Sequence, residues 1–188
     1  MKTKLIICLT LLLFGSGCGH ALQRDYLKSS DNIDSIKSVA VLPFENLTKF
    51  PDAGQIVATL FTTELYQSTD FKIVDRNQVK RIMREKKIGS PKVIDRRLAR
   101  KIGKILGVDG VFVGSVSEYW YRLDRRNYRN QGDEPAVGIN ARLVEVASGE
   151  VIWASSHSRS SQDVLREDRD HINRVAQLAV AAMVKSLK

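Results

Sequence analysis

Residues 136–158 read AVGINARLVEVASGEVIWASSHS, and this stretch decides the fold. Two segments rich in apolar and β-branched residues, Ala136–Val146 and Glu150–Ser158, flank the small residues Ala147-Ser148-Gly149. Strand character on both sides of a short turn predicts an antiparallel hairpin. Upstream, Val108–Tyr121 (VDGVFVGSVSEYWY) has the same character. Three strands in succession should therefore form an antiparallel meander.

Farther out the pattern alternates. Ser38–Phe44 is apolar with polar flanks and reads as a buried strand, and Phe71–Val74 as a short second one. Between them Pro51-Asp52 opens a helix whose stripe is Ile56, Val57, Leu60, Phe61 and Leu65. Asp75 is placed to cap the next helix, with Gln78 completing a capping box and Val79, Ile82 and Met83 on one face. Another helix should run from near Ile94 to Leu106, burying Leu98, Ile102 and Leu106, with Gly107 as its stop. Val164–Leu187 reads as a long amphipathic helix facing inward through Ile172, Val175, Ala176, Ala179, Met183 and Leu187. The order is β-α-β-α-α-β-β-β-α, which predicts a parallel crossover followed by the meander. The fold class is thus α+β, a mixed sheet of about five strands covered by helices.

The whole chain has 188 residues, 43% hydrophobic and 27% charged, enough for one ordinary domain. Both cysteines, Cys8 and Cys18, lie near the start, so the remainder holds no disulfide, thiol nucleophile or thiolate zinc site. Met1–Lys4 is basic, and Leu5–Phe14 is an apolar run of ten residues, too short to span a bilayer, which needs about 20. Gly15-Ser16-Gly17 then precede Cys18, so 1–17 reads as a secretory signal. The placement of Cys18 resembles a bacterial lipobox, although Gly15 stands where leucine is usual. That resemblance implies a lipidated Cys18, and Gly19 after it implies sorting to the outer membrane, facing the periplasm. Residues 19–36 are polar and without period and read as a tether, up to about 60 Å when extended. The expected organisation is signal 1–17, lipidated cysteine and tether 18–36, and a periplasmic domain 37–188.

Four segments in this order, SVAVLPFENLT, FKIVDRNQVKRI, ARKIGKILGVDGVFVGSVSEY and INARLVEVASGEVIWASS, resemble the curli-secretion (CsgG-like) lipoprotein family. Its relatives include lipoprotein activators of penicillin-binding proteins and the amino-terminal domain of TolB. The resemblance covers about Ser38–Ser156 and implies a periplasmic α/β domain that acts in secretion, assembly or adaptor roles rather than as an enzyme. In pore-forming members two positions carry transmembrane hairpins. Here Arg122–Glu134 has only Leu123 and Tyr128 as sizeable apolar residues, and Ser155–Asp163 is polar. Neither supplies the 9–11 alternating residues that a spanning strand needs, so the pore hairpins are absent from this reading.

Charge is segregated. Lysine and arginine number 30 against 21 acids, and Lys72–Lys104 alone holds 13 basic and 3 acidic residues. Arg76, Lys80, Arg84 and Lys87 fall on one helical flank, and Arg97, Arg100, Lys101 and Lys104 on the exposed side of the next. Such a face suits anionic lipid, cell-wall carboxylates or an acidic protein. Nucleic acid would match the charge but is out of reach of an exported lipoprotein. The second candidate is Glu118–Glu134, where Trp120, Tyr121 and Tyr128 interleave with Arg125 and Arg126, a composition enriched where partners dock. A plain solvated face and a plain surface loop are the competing readings of these two features.

Enzyme chemistry finds little support. A Ser–His–Asp site lacks any G-x-S-x-G around His157 or His171, and His171 with Glu167 and Asp168 has no second cluster to complete a metal site. No catalytic residue, metal or cofactor is expected. Asn46-Leu47-Thr48 fits a glycosylation sequon by chance. The function expected is a non-enzymatic outer-membrane lipoprotein, an assembly, transport or adaptor component that docks envelope proteins and self-assembles as a ring or other homo-oligomer. The alternative is activation of a peptidoglycan synthase, which the 18-residue tether makes difficult because the wall must be crossed.

Overall fold

The computed structural model describes residues 22–86, 88, 94–122, 134–160 and 171–188. Its elements in chain order are β1 (Leu22–Leu27), α1 (Ser30–Asp34), β2 (Ser38–Val41), β3 (Glu45–Asn46), α2 (Ala53–Ser68) and β4 (Lys72–Ile73). They continue with α3 (Arg76–Glu85), α4 (Arg96–Leu106), β5 (Gly110–Arg122), β6 (Glu134–Glu145), β7 (Val151–Ser160) and α5 (Ile172–Lys185). The meander forms as read, with β5, β6 and β7 antiparallel and Phe112, Leu143 and Trp153 in one cross-strand row. β2 lies parallel to both β4 and β5, which is the expected crossover through α2. All strands join one mixed sheet in the order β1-β7-β6-β5-β2-β4, with β3 alongside β5.

Two apolar layers fix the helices. On one face α2 and α5 bury Phe61, Leu65, Val175 and Met183 against Phe112, Leu143 and Trp153. Phe61 meets Phe112 edge-on at 5.2 Å and Phe112 meets Trp153 at 5.8 Å, geometries that add to area burial. The indole Nε1 of Trp153 donates to Ser186 Oγ at 3.1 Å, so its polar atom is satisfied inside the core. On the opposite face α3 and α4 cover Ala40, Leu42, Val111, Val113 and Val144 with Val79, Met83 and Ile102.

Helix ends follow local chemistry. The Asp75 carboxylate accepts from the backbone N–H of Asn77 and Gln78, and that of Asp95 accepts from Leu98 N–H at 2.8 Å. Gly107 closes α4 at φ 68°, the left-handed conformation that glycine adopts without strain. The start of α2 works differently, because Asp52 sits at φ 59° with no side-chain cap. There Gly54 lies so close to β3 that an added Cβ would stand 2.1 Å from the Phe44 carbonyl oxygen. Before β2 a carboxylate latch operates: Asp109 Oδ2 accepts from Lys37 N–H, Ser38 N–H and Ser38 Oγ at 3.1, 2.8 and 2.8 Å. The Ser38 bonds stabilise the anion and hold its pKa below the usual carboxylate value.

Several expectations change. Residues 19–36 were expected to be tether, yet from Leu22 onward they belong to the fold. β1 pairs antiparallel with β7 from Leu22 opposite Ser158 to Leu27 opposite Trp153, and α1 follows. All six side chains of β1 are exposed, so backbone pairing holds it and no apolar alternation marks it. Asp25 accepts from Ser155 Oγ, and Lys28 pairs with Glu150 at the strand's far end. The sheet has seven strands rather than five, β1 and the two-residue β3 being the additions. α4 starts at Arg96, and α5 is described from Ile172 instead of Val164, with His171 at its N-cap. In α4 the fully buried residues are Ala99, Ile102 and Gly103, while Leu98 and Leu106 are half-buried.

Candidate functional site

Three surfaces compete for function. The first is the end of the sheet where β5 finishes, β6 starts, β7 finishes and β1 starts. Leu22 stands in register with Ser158, Ser158 with Gly138, and Gly138 with Glu118, which puts Leu22 and the end of β5 in one rim. Trp120 and Tyr121, where the strand read over 108–121 overlaps the candidate docking segment 118–134, lie in β5. Trp120 is 46% exposed, whereas its neighbour Tyr119 is buried, donating from its hydroxyl to Asn173 Oδ1 at 2.5 Å and packing on Phe50 at 4.9 Å. Thr48, Lys49, Phe50, Pro51, Ser117 and Trp120 line an open groove of about 480 Å³ along this rim.

A side-chain-bonded turn shapes that groove. Asn46 Oδ1 accepts from Thr48 N–H and Thr48 Oγ1 at 3.0 and 2.8 Å, and Asn46 Nδ2 donates to the Phe50 carbonyl at 2.8 Å. Leu47, 58% exposed, is held against β5 by its N–H to the Val116 carbonyl at 3.0 Å. The Asn46-Leu47-Thr48 triplet is therefore an Asx turn. The sequence signal was the Asn-x-Thr spacing itself, which supports a turn as readily as a sequon.

The second surface is the basic layer of α3 and α4. Lys80, Arg84, Arg97, Lys101 and Lys104 are exposed on it, as expected. Arg76 and Arg100 are partly committed elsewhere. Arg76 Nη1 donates to Thr59 Oγ1 of α2 at 2.5 Å, and Arg100 Nε donates to the Val146 carbonyl at 3.0 Å while Nη2 donates to that of Ala147. Arg100 thus clamps the β6–β7 hairpin. Lys87, Arg125, Arg126 and Tyr128 lie outside the described residues, as do Cys18, the signal segment, residues 123–133 of the first hairpin position and 161–163 of the second, whose Ser155–Ser160 belong to β7.

The third surface is the bare part of the sheet beside α4, an open hollow of about 420 Å³ with Arg24, Tyr26, Glu45, Asn140, Arg142 and Ser156 around it. Sequence reasoning missed it because Arg24 and Tyr26 enter only through β1. His157 is buried in β7, next to Ser156 and Ser158. Among the described residues no cluster of three His, Cys, Asp or Glu side chains is placed to hold a metal, and no helix is long and apolar enough to cross a membrane.

The family model described as "Curli production assembly/transport component CsgG" matches residues 31–165, well over half of the chain. The chain belongs to the CsgG family. Among solved structures, this CsgG-family domain resembles the PelC dodecamer from Paraburkholderia phytofirmans at TM-score 0.62 and 19% identity, over 89% of this chain and 96% of that one. It resembles lipoprotein GNA1162 from Neisseria meningitidis at TM-score 0.54 and 18% identity, over 80% and 97%. The C-terminal domain of LpoB from Salmonella enterica follows at TM-score 0.49 and 16% identity, over 82% and 93%. At such identities the shared property is the fold. No curated protein matches the CsgG-family chain in sequence.

Proposed function

We propose that this protein is a non-catalytic component of the bacterial envelope, held in the outer membrane through acylated Cys18, whose domain works in the periplasm as an assembly, transport or adaptor part. The observation that carries this reading is membership of the CsgG family across 31–165, taken with a signal-like start that ends at Cys18. The surface of α3 and α4 is the partner-facing side, presenting Lys80, Arg84, Arg97, Lys101 and Lys104 to an acidic protein or wall polymer. The PelC structure is a dodecamer, and by analogy of fold this chain works as a homo-oligomer.

Extraction of the native acylated chain in mild detergent, followed by pull-down with mass spectrometry and mass photometry on the same eluate, tests the proposal. A closed homo-oligomer, or recovery with an envelope assembly component, is the expected result. Stoichiometric recovery of a peptidoglycan synthase would replace it with the activator reading. A monomer eluting without any envelope partner would remove both.

A further inference from the structure

The strand β1 ties the domain's orientation to its anchor. Only residues 19–21 separate Cys18 from Leu22, so the cysteine Cα lies within about 14 Å of the Leu22 Cα, the reach of four extended residues. Leu22 is locked into the sheet by its pairing with Ser158. A lipidated Cys18 therefore leaves the domain no freedom to turn its other end to the bilayer.

The rim on that side has the chemistry of a membrane interface. Leu22 and Leu47 are 63% and 58% exposed, and Trp120 projects beyond the row that holds Leu22. Phe50 is half-buried beside Trp120, and Lys49 stands next to it. Tryptophan, leucine and a lysine at one edge are what the boundary between headgroups and acyl chains selects. Among the described residues, the other large apolar side chains that are exposed, Tyr26 and Leu27 of β1, Tyr66 of α2 and Ile105 of α4, include no tryptophan. The α4 part of the basic layer stands away from this rim, whereas α3 ends beside it, with Met83 sharing a hollow with Leu47. Arg100 holds the β6–β7 hairpin at the far end of the sheet, and β5 runs about 33 Å from Gly110 to Trp120.

We propose that Leu22, Leu47, Phe50 and Trp120 form the bilayer-facing rim of this protein, seated with Lys49 in the interfacial layer of the phospholipid membrane that holds acylated Cys18. The inference rests on the lipoprotein reading above and adds which residues meet the lipid. It turns Lys101 and Lys104 of α4, beside Arg100, away from the anchor and toward partners in the periplasm.

The chain's two tryptophans supply a test, because Trp120 is at the rim and Trp153 is fully buried. Full-length protein is purified with its lipid, the acyl adduct on Cys18 is read by mass spectrometry, and the protein is reconstituted into phosphatidylcholine–phosphatidylglycerol vesicles with or without brominated acyl chains. Emission should fall in brominated vesicles by up to about two-fold, since one of the two tryptophans sits in the aromatic belt and the other is buried. Trp120→Phe should abolish that fall and leave the unquenched emission of Trp153. Trp120 emission insensitive to bromolipid but quenched by aqueous acrylamide would overturn the proposal, since the rim would face water. Insensitivity to both quenchers would overturn it in favour of burial against a second copy or another protein. Acylated protein with unquenched Trp120 refutes the rim alone, whereas absence of the acyl adduct refutes the lipoprotein reading and the rim with it.

Discussion

Replacing Gly54 by alanine sets two effects of opposite sign against each other. Helix propensity favours alanine by at most about 1 kcal/mol, and by less at the second position of α2. Packing opposes it, because the new Cβ would stand 2.1 Å from the Phe44 carbonyl oxygen and 3.0 Å from its carbon. Both are backbone atoms, so no side chain can rotate away, and α2 must separate from β3 by about 1 Å. Forced overpacking of this kind destabilises by about 1–3 kcal/mol, so packing should win by about 1–2 kcal/mol. For a domain of this size that lowers Tm by roughly 2–8 °C. Urea denaturation followed by circular dichroism should show a lower midpoint with unchanged slope. Gly107→Ala is the control: nothing lies within 4 Å of its added Cβ, so only the strain of φ 68° remains, about 1–2 kcal/mol. A Gly54→Ala variant as stable as the parent, or more so, would refute the close packing of α2 on β3.

Trp153→Ala should remove about 3–5 kcal/mol, because the indole fills the junction of Phe61 and Phe112 and donates to Ser186; a loss below about 1 kcal/mol in urea titration would contradict that burial. Asp109 has a lowered pKa in the folded state, so its contribution is complete above the unfolded carboxylate value, about 3.9, and disappears as pH falls through the folded value. Asp109→Asn should therefore be less stable than the parent near neutrality, with the gap closing in acid; a gap independent of pH between 2 and 7 would sink the latch, a range set by that linkage. Cys18→Ser should move the chain from the membrane pellet to the soluble periplasmic fraction and abolish metabolic labelling with palmitate. Retention in the pellet after an alkaline wash would refute acylation at Cys18 as the anchor.

The elements readable from sequence were those whose side chains carry a period. The meander announced itself through Val111, Phe112, Leu143 and Trp153, all fully buried, and α2 through Val57, Phe61 and Leu65. β1 had no such mark, since LQRDYL has both faces exposed and is held by backbone bonds to β7. β3 is two residues long and too short for any alternation. Trp120 was read both as the end of the strand Val108–Tyr121 and as part of the candidate docking segment 118–134, and β5 continues past it to Arg122. Arg100 counted as one more surface cation, and only the fold reveals that its guanidinium reaches the carbonyls of Val146 and Ala147. The exposed lysines of α3 and α4 needed no tertiary information, because hydration keeps such side chains outside.

The pairing of β1 also orders events in time. Asp25 and Ser155, joined across β1 and β7, are 130 residues apart, so the strand at the front of the domain must wait for almost the last one before it can be zipped in. A ribosome delivers the front first, and closing so long a loop lets β1 join only after the meander exists. Through that interval an apolar alternating strand would be a template for aggregation. LQRDYL, polar and charged at its centre, waits safely until the last strand arrives.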